Sequence, residues 1–514
     1  MRVEIPVSAI TSEPVYEKRE NCALVGVRLQ KPAQFIHEMI TDGLSALQHR
    51  GQEGAGLAYV NGGITIEKEL GLVEAALPGA RIKEFPEAQT AAGHTRYSTS
   101  GNRNNREEQL QNTQPFSFKM NQEGGSLFEF SIAHNGTVRW PGNPARNEPD
   151  SDTYWLGKMI AQGPKSFKEN AIQVLSTLDG AYMLLFITSE NKLYVACDPW
   201  GFKPGVIGYI NRGGIRGTLF ASETVGIEKM GGKVIGNIPR GVFAEIKPTA
   251  EFDTGLWRIW TDPRAKVLPS AACSFERAYF ADQTSIMHSS GLTNHSVRME
   301  YGRRHAELSK PQGDQVTPVP KSGISYADGV AEQLGLPVVH AIHENRYLGR
   351  TFIEPNTPAG RKKRAFLKFR FIPELIRGKE IILVDDSIVR GNTTSGLILI
   401  LFEHGAKRIE LLSGIPPITH PCFWGIDFPT PEELIYRQLE SEDDLRAYEE
   451  KLARWLVGND PNFINRIKIS FQTLEDYVSI TQNVPYGTPP EKSGGCFHCV
   501  SGVVPKGVST VYSS

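Results

Sequence analysis

The chain has 514 residues, enough for two or more domains that each bury a complete hydrophobic core. Its formal net charge of -1 argues against a general nucleic-acid or membrane-surface binder, and no signal peptide or long apolar span is predicted. Six cysteines are too few for a disulfide scaffold and favour catalysis or metal binding in a cytoplasmic enzyme.

The N-terminal half is predicted to be a layered β structure. Residues 1–21 show neither helix nor strand periodicity and are predicted to be a removable leader. Short β-rich runs, such as 127–136 and 181–188, then alternate with Gly and Asn turns and with helical patterns such as 35–50. This pattern predicts stacked sheets flanked by helices over residues 22–265, where a mixed connector ends the unit.

The pattern changes from Cys273 onward, where strands alternate with helices. A strand is predicted at 314–320 and a helix at 324–335, followed by a second strand and helix. This alternation predicts a parallel sheet over residues 266–440. Residues 441–514 are predicted to form an amphipathic helix and an irregular end that carries Cys496 and Cys499.

The stretch IILVDDSIVRGNTT, residues 381–394, carries the clearest chemistry. A buried strand ends at the adjacent carboxylates Asp385 and Asp386, and a Gly/Ser/Thr loop then opens a helix, which is where open α/β sheets bind ligands. The carboxylates can accept hydrogen bonds from a ribose diol. Loop amides at the helix N-terminus can hold a phosphate, helped by three hydroxyls, those of Ser387, Thr393 and Thr394. The predicted ligand is a phosphorylated ribose; the alternative is an ordinary Asp-rich turn.

This stretch resembles the phosphoribosyl pyrophosphate (PRPP) motif of type I phosphoribosyltransferases, and its wording is that of the amidophosphoribosyltransferase family. The resemblance implies a set of PRPP-binding residues: Asp385, Asp386, Ser387, Arg390, Gly391, Asn392, Thr393 and Thr394. TPVPKSG, residues 317–323, resembles the loop that receives pyrophosphate. By the same resemblance, Mg²⁺ would be held by Ser322, Asp385 and Asp386.

Two further segments of this half are expected to close over the substrate. Residues 344–353 match the start of the flap that closes over PRPP. The run RKKRAFLKFR, residues 361–370, has six basic residues and is predicted to be a mobile basic lid; the alternative is a solvated charged loop.

Four segments of the N-terminal half resemble class II glutamine amidotransferases, which belong to the N-terminal nucleophile hydrolases. They are LQHRGQEGAG at 47–56, GHTRYSTSG at 93–101, AHNGTV at 133–138 and SD at 151–152. The resemblance implies a four-layer αββα sandwich. It also implies Cys22 as the nucleophile, with its own α-amine as base once the leader is removed, because that amine has a pKa of about 7.7 to 8.0.

The same resemblance assigns the glutamine-binding groups. The Asn135 side chain and the Gly136 amide would donate to the oxyanion of the tetrahedral intermediate. Arg96 would bind the glutamine α-carboxylate and Asp152 its α-ammonium. Three neighbours within the motifs are expected to be structural: His94, Tyr97 and His134.

Four cysteines form a candidate metal set: Cys273, Cys422, Cys496 and Cys499. Their flanking sequences resemble those of the iron–sulfur subclass of the family, which implies a structural four-iron, four-sulfur cluster. On ligand chemistry alone, four thiolates suit iron–sulfur and structural zinc about equally, with His420 and His498 as further candidate zinc ligands.

Several residues depart from the family pattern. Ala23 follows the nucleophile in place of Gly, Cys197 replaces an Arg, and Asn392 replaces a common Thr. Three charge reversals surround the predicted polyanion site, at Asp282, Lys321 and Glu344. These reversals either compensate one another or mark altered substrate handling, weakened catalysis or a changed nucleotide-effector site.

The resemblance covers about residues 22–503 and predicts the function. The chain is expected to convert PRPP and glutamine to 5-phosphoribosylamine, glutamate and pyrophosphate, the first step of de novo purine biosynthesis. The family also implies a homotetramer with purine nucleotide effectors. The alternatives are a PRPP- or nucleotide-sensing homologue with a decayed transferase site, or a glutaminase that serves a different acceptor.

Overall fold

The computed structural model describes residues 22–78, 86–97, 105–121, 127–139, 151–249, 253–287, 291–345, 358–426, 428, 430–439 and 444–508. The predicted leader lies outside these residues, as does most of the predicted flap segment, 346–353. No helix within these ranges is long and apolar enough to cross a membrane.

The N-terminal half is built from antiparallel strands. They are β1 (Ala23–Ala33), β2 (Gly54–Val60), β3 (Ile64–Leu70), β4 (Ala88–Arg96), β5 (Phe116–Asn121), β6 (Leu127–Arg139), β7 (Asp179–Thr188), β8 (Lys192–Cys197), β9 (Val206–Arg212), β10 (Ile215–Ala221), β11 (Lys233–Asn237), β12 (Val242–Ile246) and β13 (Leu256–Thr261). Among the described residues, one sheet has the order β11-β9-β10-β1-β4-β2-β3 and the other has the order β13-β12-β8-β7-β6-β5.

Helices cover the outer faces of both sheets. The helices of this half are α1 (Ile36–Ala46), α2 (Val73–Ala76), α3 (Arg106–Gln111), α4 (Asp152–Gln162), α5 (Phe167–Thr177), α6 (Thr224–Lys229) and α7 (Arg264–Val267). Helices α1 and α6 pack on the first sheet, and α4 and α5 pack on the second. Side chains such as Leu24, Ala133 and Leu185 fill the space between the sheets. Strands with two covered faces need apolar residues on both, which explains continuous apolar runs such as β7. The predicted αββα sandwich is confirmed.

The C-terminal half contains a parallel sheet with flanking helices. Its strands are β14 (Ala272–Cys273), β15 (Gln315–Pro318), β16 (Ile342–Glu344), β17 (Phe369–Phe371), β18 (Glu380–Asp385), β19 (Arg408–Ser413), β20 (Ile467–Phe471) and β21 (Gly495–Cys496). Its helices are α8 (Asn294–Ser309), α9 (Ile324–Leu334), α10 (Pro358–Lys368), α11 (Asn392–Glu403), α12 (Ile435–Gln438), α13 (Leu445–Leu456), α14 (Pro461–Ile464), α15 (Leu474–Gln482) and α16 (His498–Ser501). Strands β15, β18, β19 and β20 pair in parallel in that order, as predicted.

One prediction for this half is wrong in part. The segment after 441 contains the predicted amphipathic helix, α13, but its continuation is not irregular, because β20 and α15 follow. In the basic run 361–370, α10 extends to Lys368 and continues into β17, so the alternative of a solvated charged loop is wrong, and the mobile lid stays a prediction. Ala365 and Phe369 are buried there.

The predicted boundary at residue 265 falls within α7, between β13 and β14. Strand β14 pairs in parallel with β21, so the end of the described chain returns to the connector. A π-helix, Glu276–Phe280, follows β14 and leads into the C-terminal half.

Candidate active site

Cys22 lies directly before β1, an interior strand of the first sheet. Strand β1 pairs with β4 so that Ala23 faces Thr95, whose hydroxyl accepts a hydrogen bond from the Ala23 amide at 3.3 Å. Arg96, the last residue of β4, is therefore a close neighbour of Cys22. Ala23 takes part in this regular pairing, so its side chain is accommodated in the strand. Cys22 itself is partly exposed, so a substrate can approach it.

The predicted oxyanion donors lie on β6, in the facing sheet. Gly136 has a φ of +142°, and a Cβ atom there would lie 2.0 Å from the Ala181 carbonyl oxygen, so only glycine fits. Asn135 is 1% exposed, and its Nδ2 has no hydrogen-bond partner within the described part of the chain. A buried amide donor without a partner is costly to leave unsatisfied, and it is available to a substrate oxygen.

Asp152 begins α4 and approaches the same strand. Its Oδ2 accepts from the Val138 amide at 3.0 Å, and its Oδ1 accepts from the Thr153 amide at 2.7 Å. Burial by itself would raise the pKa of Asp152, but nearby His134 and these amides outweigh burial and lower it. The carboxylate is therefore charged at neutral pH, as binding of an ammonium group requires.

The remaining polar groups of this region are buried. Burial, together with nearby Arg96 and His134, lowers the pKa of His94 to about 3, so His94 is neutral. His134 Nδ1 lies 3.1 Å from the Thr153 hydroxyl. The Arg96 guanidinium donates to the Gln109 carbonyl of α3. In this structure, Arg96 is therefore held beside Cys22 by a backbone contact.

The second site lies at the carboxyl end of β18. Asp385 and Asp386 are buried, the Asp386 amide donates to Asp385 Oδ1 at 3.0 Å, and the Ser387 hydroxyl donates to Asp386 Oδ2 at 2.7 Å. Burial and the neighbouring Asp386 raise the pKa of Asp385 well above its usual value. Two adjacent carboxylates in this position are suited to a cation or to hydroxyl donors.

A tight loop joins these carboxylates to α11. Gly391 has a φ of +68° and comes directly before the helix, and a Cβ atom there would lie 2.8 Å from the Trp455 ring. Thr394 is buried in the first turn of α11. Arg390 departs from the expected arrangement, because its guanidinium pairs with Glu433. The helix N-terminus and the loop amides still offer a phosphate site.

The loop after β15 lies beside the carboxylates. Ser322 Oγ is 3.5 Å from Asp385 Oδ1, which brings together the three predicted magnesium ligands Ser322, Asp385 and Asp386. Oxygen donors of this kind fit a hard divalent cation. Lys321 Nζ lies 3.0 Å from Glu344 Oε2, so two of the three charge reversals neutralise each other.

The third reversal, Asp282, is satisfied locally. Its carboxylate accepts from the Thr284 amide at 2.8 Å and from the Thr284 hydroxyl at 2.6 Å. The Asp282 amide donates to Glu223 Oε2 at 2.8 Å. Asp282 therefore caps a turn at the junction of the two halves.

The four candidate cluster ligands converge near that junction. Cys273 and Cys496 are paired residues of β14 and β21. The Cys499 carbonyl accepts hydrogen bonds from the amides of Thr419 and His420 at 2.8 and 3.1 Å. His420 precedes Cys422 by two residues, so this contact brings Cys422 close to Cys499. Burial and Glu276 raise the pKa of Cys273 to about 12. Within the described ranges, no group of three or more His, Cys, Asp or Glu is arranged to hold a single metal ion. These thiols would have to lose their protons to bind either iron or zinc.

The chain is similar in sequence to curated enzymes from bacteria and mammals. It is 35% identical to the amidophosphoribosyltransferase of Mycobacterium tuberculosis over 445 residues, which covers 83% of this chain and 79% of the relative. It is 30% identical to the mouse enzyme of the same name, with 95% of this chain and 98% of the relative covered. The chain belongs to the amidophosphoribosyltransferase family. No family model matches it.

Solved structures place the amidophosphoribosyltransferase fold over nearly the whole chain. Glutamine PRPP amidotransferase from B. subtilis, complexed with ADP and GMP, matches with a TM-score of 0.75 and 30% identity, covering 94% of this chain and 97% of that chain. A structure described as the allosteric regulatory enzyme of purine biosynthesis matches with a TM-score of 0.77 and 30% identity, covering 95% and 97%. The predicted family, fold and enzyme class are confirmed.

Sequence reasoning missed a buried ion network that joins the two halves of this amidophosphoribosyltransferase-family chain. Arg50 donates to the Cys22 carbonyl at 3.3 Å, to Glu223 at 2.5 Å and to Glu276 of the π-helix at 2.9 Å. Lys203 lies 3.4 Å from Glu276 and donates to the Gly425 carbonyl at 3.2 Å. The available signal was a charged residue inside an otherwise apolar segment, as in CSFERAYFA around Glu276. The network ties the nucleophile's backbone to the C-terminal half.

Proposed function

We propose that this chain converts PRPP and glutamine to 5-phosphoribosylamine, glutamate and pyrophosphate, as the first step of purine biosynthesis. The observation that carries the proposal is the presence of both candidate sites on one chain of this family. Residues 22–265 would form the glutaminase unit. The transferase unit would begin near residue 266 and take in β20, because that strand completes its parallel sheet.

Glutamine would be hydrolysed at Cys22. Once the leader is removed, the α-amine of Cys22 would accept the thiol proton, and the thiolate would attack the amide carbon. The Asn135 side chain and the Gly136 amide would stabilise the oxyanion, which is supported by an Asn135 Nδ2 that lacks a partner among the described residues. Asp152 would bind the α-ammonium, and Arg96 would bind the α-carboxylate by exchanging its backbone contact for the substrate.

PRPP would bind at the end of β18. Asp385 and Asp386 would accept hydrogen bonds from the ribose hydroxyls, and the α11 N-terminus would hold the 5-phosphate with the amides and hydroxyls of Gly391, Thr393 and Thr394. The Ser387 hydroxyl and the Asn392 amide group would add donors to the same loop. Arg390 would contribute only after leaving Glu433.

Two metal groups are part of the proposal. Ser322, Asp385 and Asp386 would hold Mg²⁺, which when bound offsets charge on the departing pyrophosphate. Cys273, Cys422, Cys496 and Cys499 would hold a four-iron, four-sulfur cluster that stabilises the junction of the two halves. Visible absorbance and metal analysis of purified protein test the cluster, and zinc without iron would contradict it.

The regulatory and assembly properties of the family extend the proposal. We expect purine nucleotides to act as effectors, because the B. subtilis neighbour was solved with ADP and GMP. We also expect a homotetramer, which light scattering would test.

The deciding experiment measures Mg²⁺-dependent pyrophosphate release from PRPP, first with ammonia and then with glutamine. We expect release with both nitrogen sources in the unmodified enzyme. Replacing Cys22 with Ala should abolish glutamine-dependent release and leave ammonia-dependent release, because the transferase site is separate. Glutaminase activity without release in the presence of ammonia would instead favour another acceptor.

Intact-mass analysis tests the nucleophile. The mature chain should begin at Cys22, because a free α-amine is needed as the base. A chain that still carries Met1 and is fully active with glutamine would overturn this mechanism.

A further inference from the structure

An ion pair lies at the rim of the candidate PRPP site. Lys321 Nζ is 3.0 Å from Glu344 Oε2, and their side chains are 67% and 26% exposed. We propose that Lys321 binds the pyrophosphate group of PRPP, and that Glu344 holds Lys321 until the substrate arrives. This inference rests on the proposed function, and it assigns a substrate-binding role to a residue of this chain that departs from the family pattern.

The backbone places Lys321 close to the carboxylates at the end of β18. Strand β15 pairs in parallel with β18, and the loop that follows is fixed by the Val319 amide, which donates to the Val384 carbonyl at 2.9 Å. A Cβ atom on Gly323 would lie 2.3 Å from that carbonyl oxygen, so the loop packs directly against the strand end. Lys321 lies between these two anchors, one residue before Ser322, whose hydroxyl reaches Asp385.

Pyrophosphate can replace Glu344 as the partner of Lys321. Exposed lysine–carboxylate pairs contribute little to stability and are screened by salt. A pyrophosphate group carries more negative charge than one carboxylate and offers several oxygens to the same ammonium, so it competes well for Lys321. A cavity of about 220 Å³ lies between the loop and β16 and is lined by Lys321, Glu344, His340 and His343 among others. There is room for a phosphate group beside the Lys321 ammonium.

Glu344 stays at the rim when Lys321 leaves it. It ends β16 and pairs with Phe369 of β17, and the next amide, that of Asn345, donates to the Lys368 carbonyl at 2.8 Å. Its carboxylate is therefore held near the incoming polyanion, which it repels. Removing the charge of Glu344 should strengthen PRPP binding, whereas removing the charge of Lys321 should weaken it.

The experiment measures the dissociation constant of magnesium pyrophosphate by calorimetry and the KM for PRPP with ammonia. Lys321→Met should weaken both by about tenfold or more, because a charge-assisted contact is lost. Glu344→Gln should strengthen both by roughly two- to fivefold, because only an exposed ion pair and a repulsion are removed. The double variant should resemble Lys321→Met, and the KM for glutamine should not change in any of them.

Lys407 and Glu380 supply a matched control. They form an exposed pair at 2.7 Å, with side chains 68% and 28% exposed, at the opposite end of β18 from the carboxylates. Lys407→Met and Glu380→Gln should leave pyrophosphate binding unchanged.

Two results would overturn the inference. One is weaker binding in Glu344→Gln, which would make the pair a structural support, and the other is unchanged pyrophosphate affinity in Lys321→Met. Absence of pyrophosphate release by the unmodified enzyme with ammonia would count against the proposed function instead. In that case, calorimetry with magnesium pyrophosphate still decides the role of Lys321.

Discussion

At Gly136, the position of the proposed oxyanion donors depends on a backbone conformation that only glycine adopts easily. Its φ is +142°, and the Ala181 carbonyl oxygen lies 2.0 Å from the position that a Cβ atom would take, which leaves no room for a side chain. Any substitution must push β6 away from β7 and move Asn135 with it. The oxyanion donors should therefore be lost before the rest of the sheet is disturbed.

We expect Gly136→Ala to lower glutamine-dependent kcat by about 10²- to 10³-fold, the cost of losing an oxyanion donor. Ammonia-dependent activity should persist, because the β18 site is far along the chain and in another sheet. Steady-state assays with the two nitrogen sources measure the difference. Gly62→Ala is the control: its φ is +69°, and no atom lies within 4 Å of the added Cβ. Equal losses in the two variants would show that positive φ, and not displaced donors, is responsible.

At the scale of elements, α13 and β20 belong with the transferase half, although the sequence analysis placed the predicted helix α13 in a separate tail and did not predict β20. Leu456 of α13 is fully buried in the core that also contains Leu397 and Leu401 of α11. The Leu456 carbonyl accepts from the Ser395 hydroxyl at 2.7 Å. Helix α13 therefore supports the helix whose N-terminus is the candidate phosphate site.

Replacing Leu456 with Ala should reduce the free energy of unfolding by about 2–5 kcal/mol and raise the KM for PRPP, because a core cavity forms behind α11. Chemical denaturation and transferase assays measure the two effects. Leu445, on the same helix and 40% exposed, gives the control. Leu445→Ala should change stability by less than about 1 kcal/mol, and a similar loss at both positions would contradict the assigned packing.

Structural features whose residues are contiguous in the sequence could be predicted, whereas features assembled from distant segments could not. The β18 strand and its carboxylates were predictable, because hydrophobic run, paired acids and loop are contiguous. Helix α10 was not predicted, because its run of basic residues was interpreted as a lid, although Lys and Arg are good helix formers and Ala365 is buried on one side. The Arg50 network was not predicted, because its partners come from three distant segments, and the charged residue in the apolar segment around Glu276 does not by itself identify them.

The pH dependence of stability is a property of the whole molecule, to which buried groups contribute with opposite signs. Burial lowers the pKa of His305 to about 4, below its usual 6.5, although Asp476 acts in the other direction. Burial raises the pKa of Asp198 to about 6 and that of Glu449 to about 7. Only a comparison between variants isolates one of these groups.

His305 should make the protein less stable as the pH falls. Between pH 6.5 and about 4, the unfolded chain binds a proton at this residue and the folded chain does not, so its contribution is complete above pH 6.5 and declines toward pH 4. The stability difference between the wild type and His305→Asn should therefore grow by about 3 kcal/mol from pH 4 to 6.5 and then level off. Denaturation at several pH values measures it.

The contact between Trp200 and the end of the described chain has a consequence for biosynthesis. Trp200 Nε1 donates to the Lys506 carbonyl, 306 residues away, at 3.0 Å. Its neighbour Phe202 stacks on Trp424, with ring centroids 5.3 Å apart. While the chain is being translated, the N-terminal sandwich has its own core and can fold first. Phe202 can be covered once Trp424 has emerged from the ribosome, whereas the Trp200 indole lacks its partner until the segment around Lys506 has been translated. We expect chaperones that shield apolar patches to bind the nascent chain in that interval.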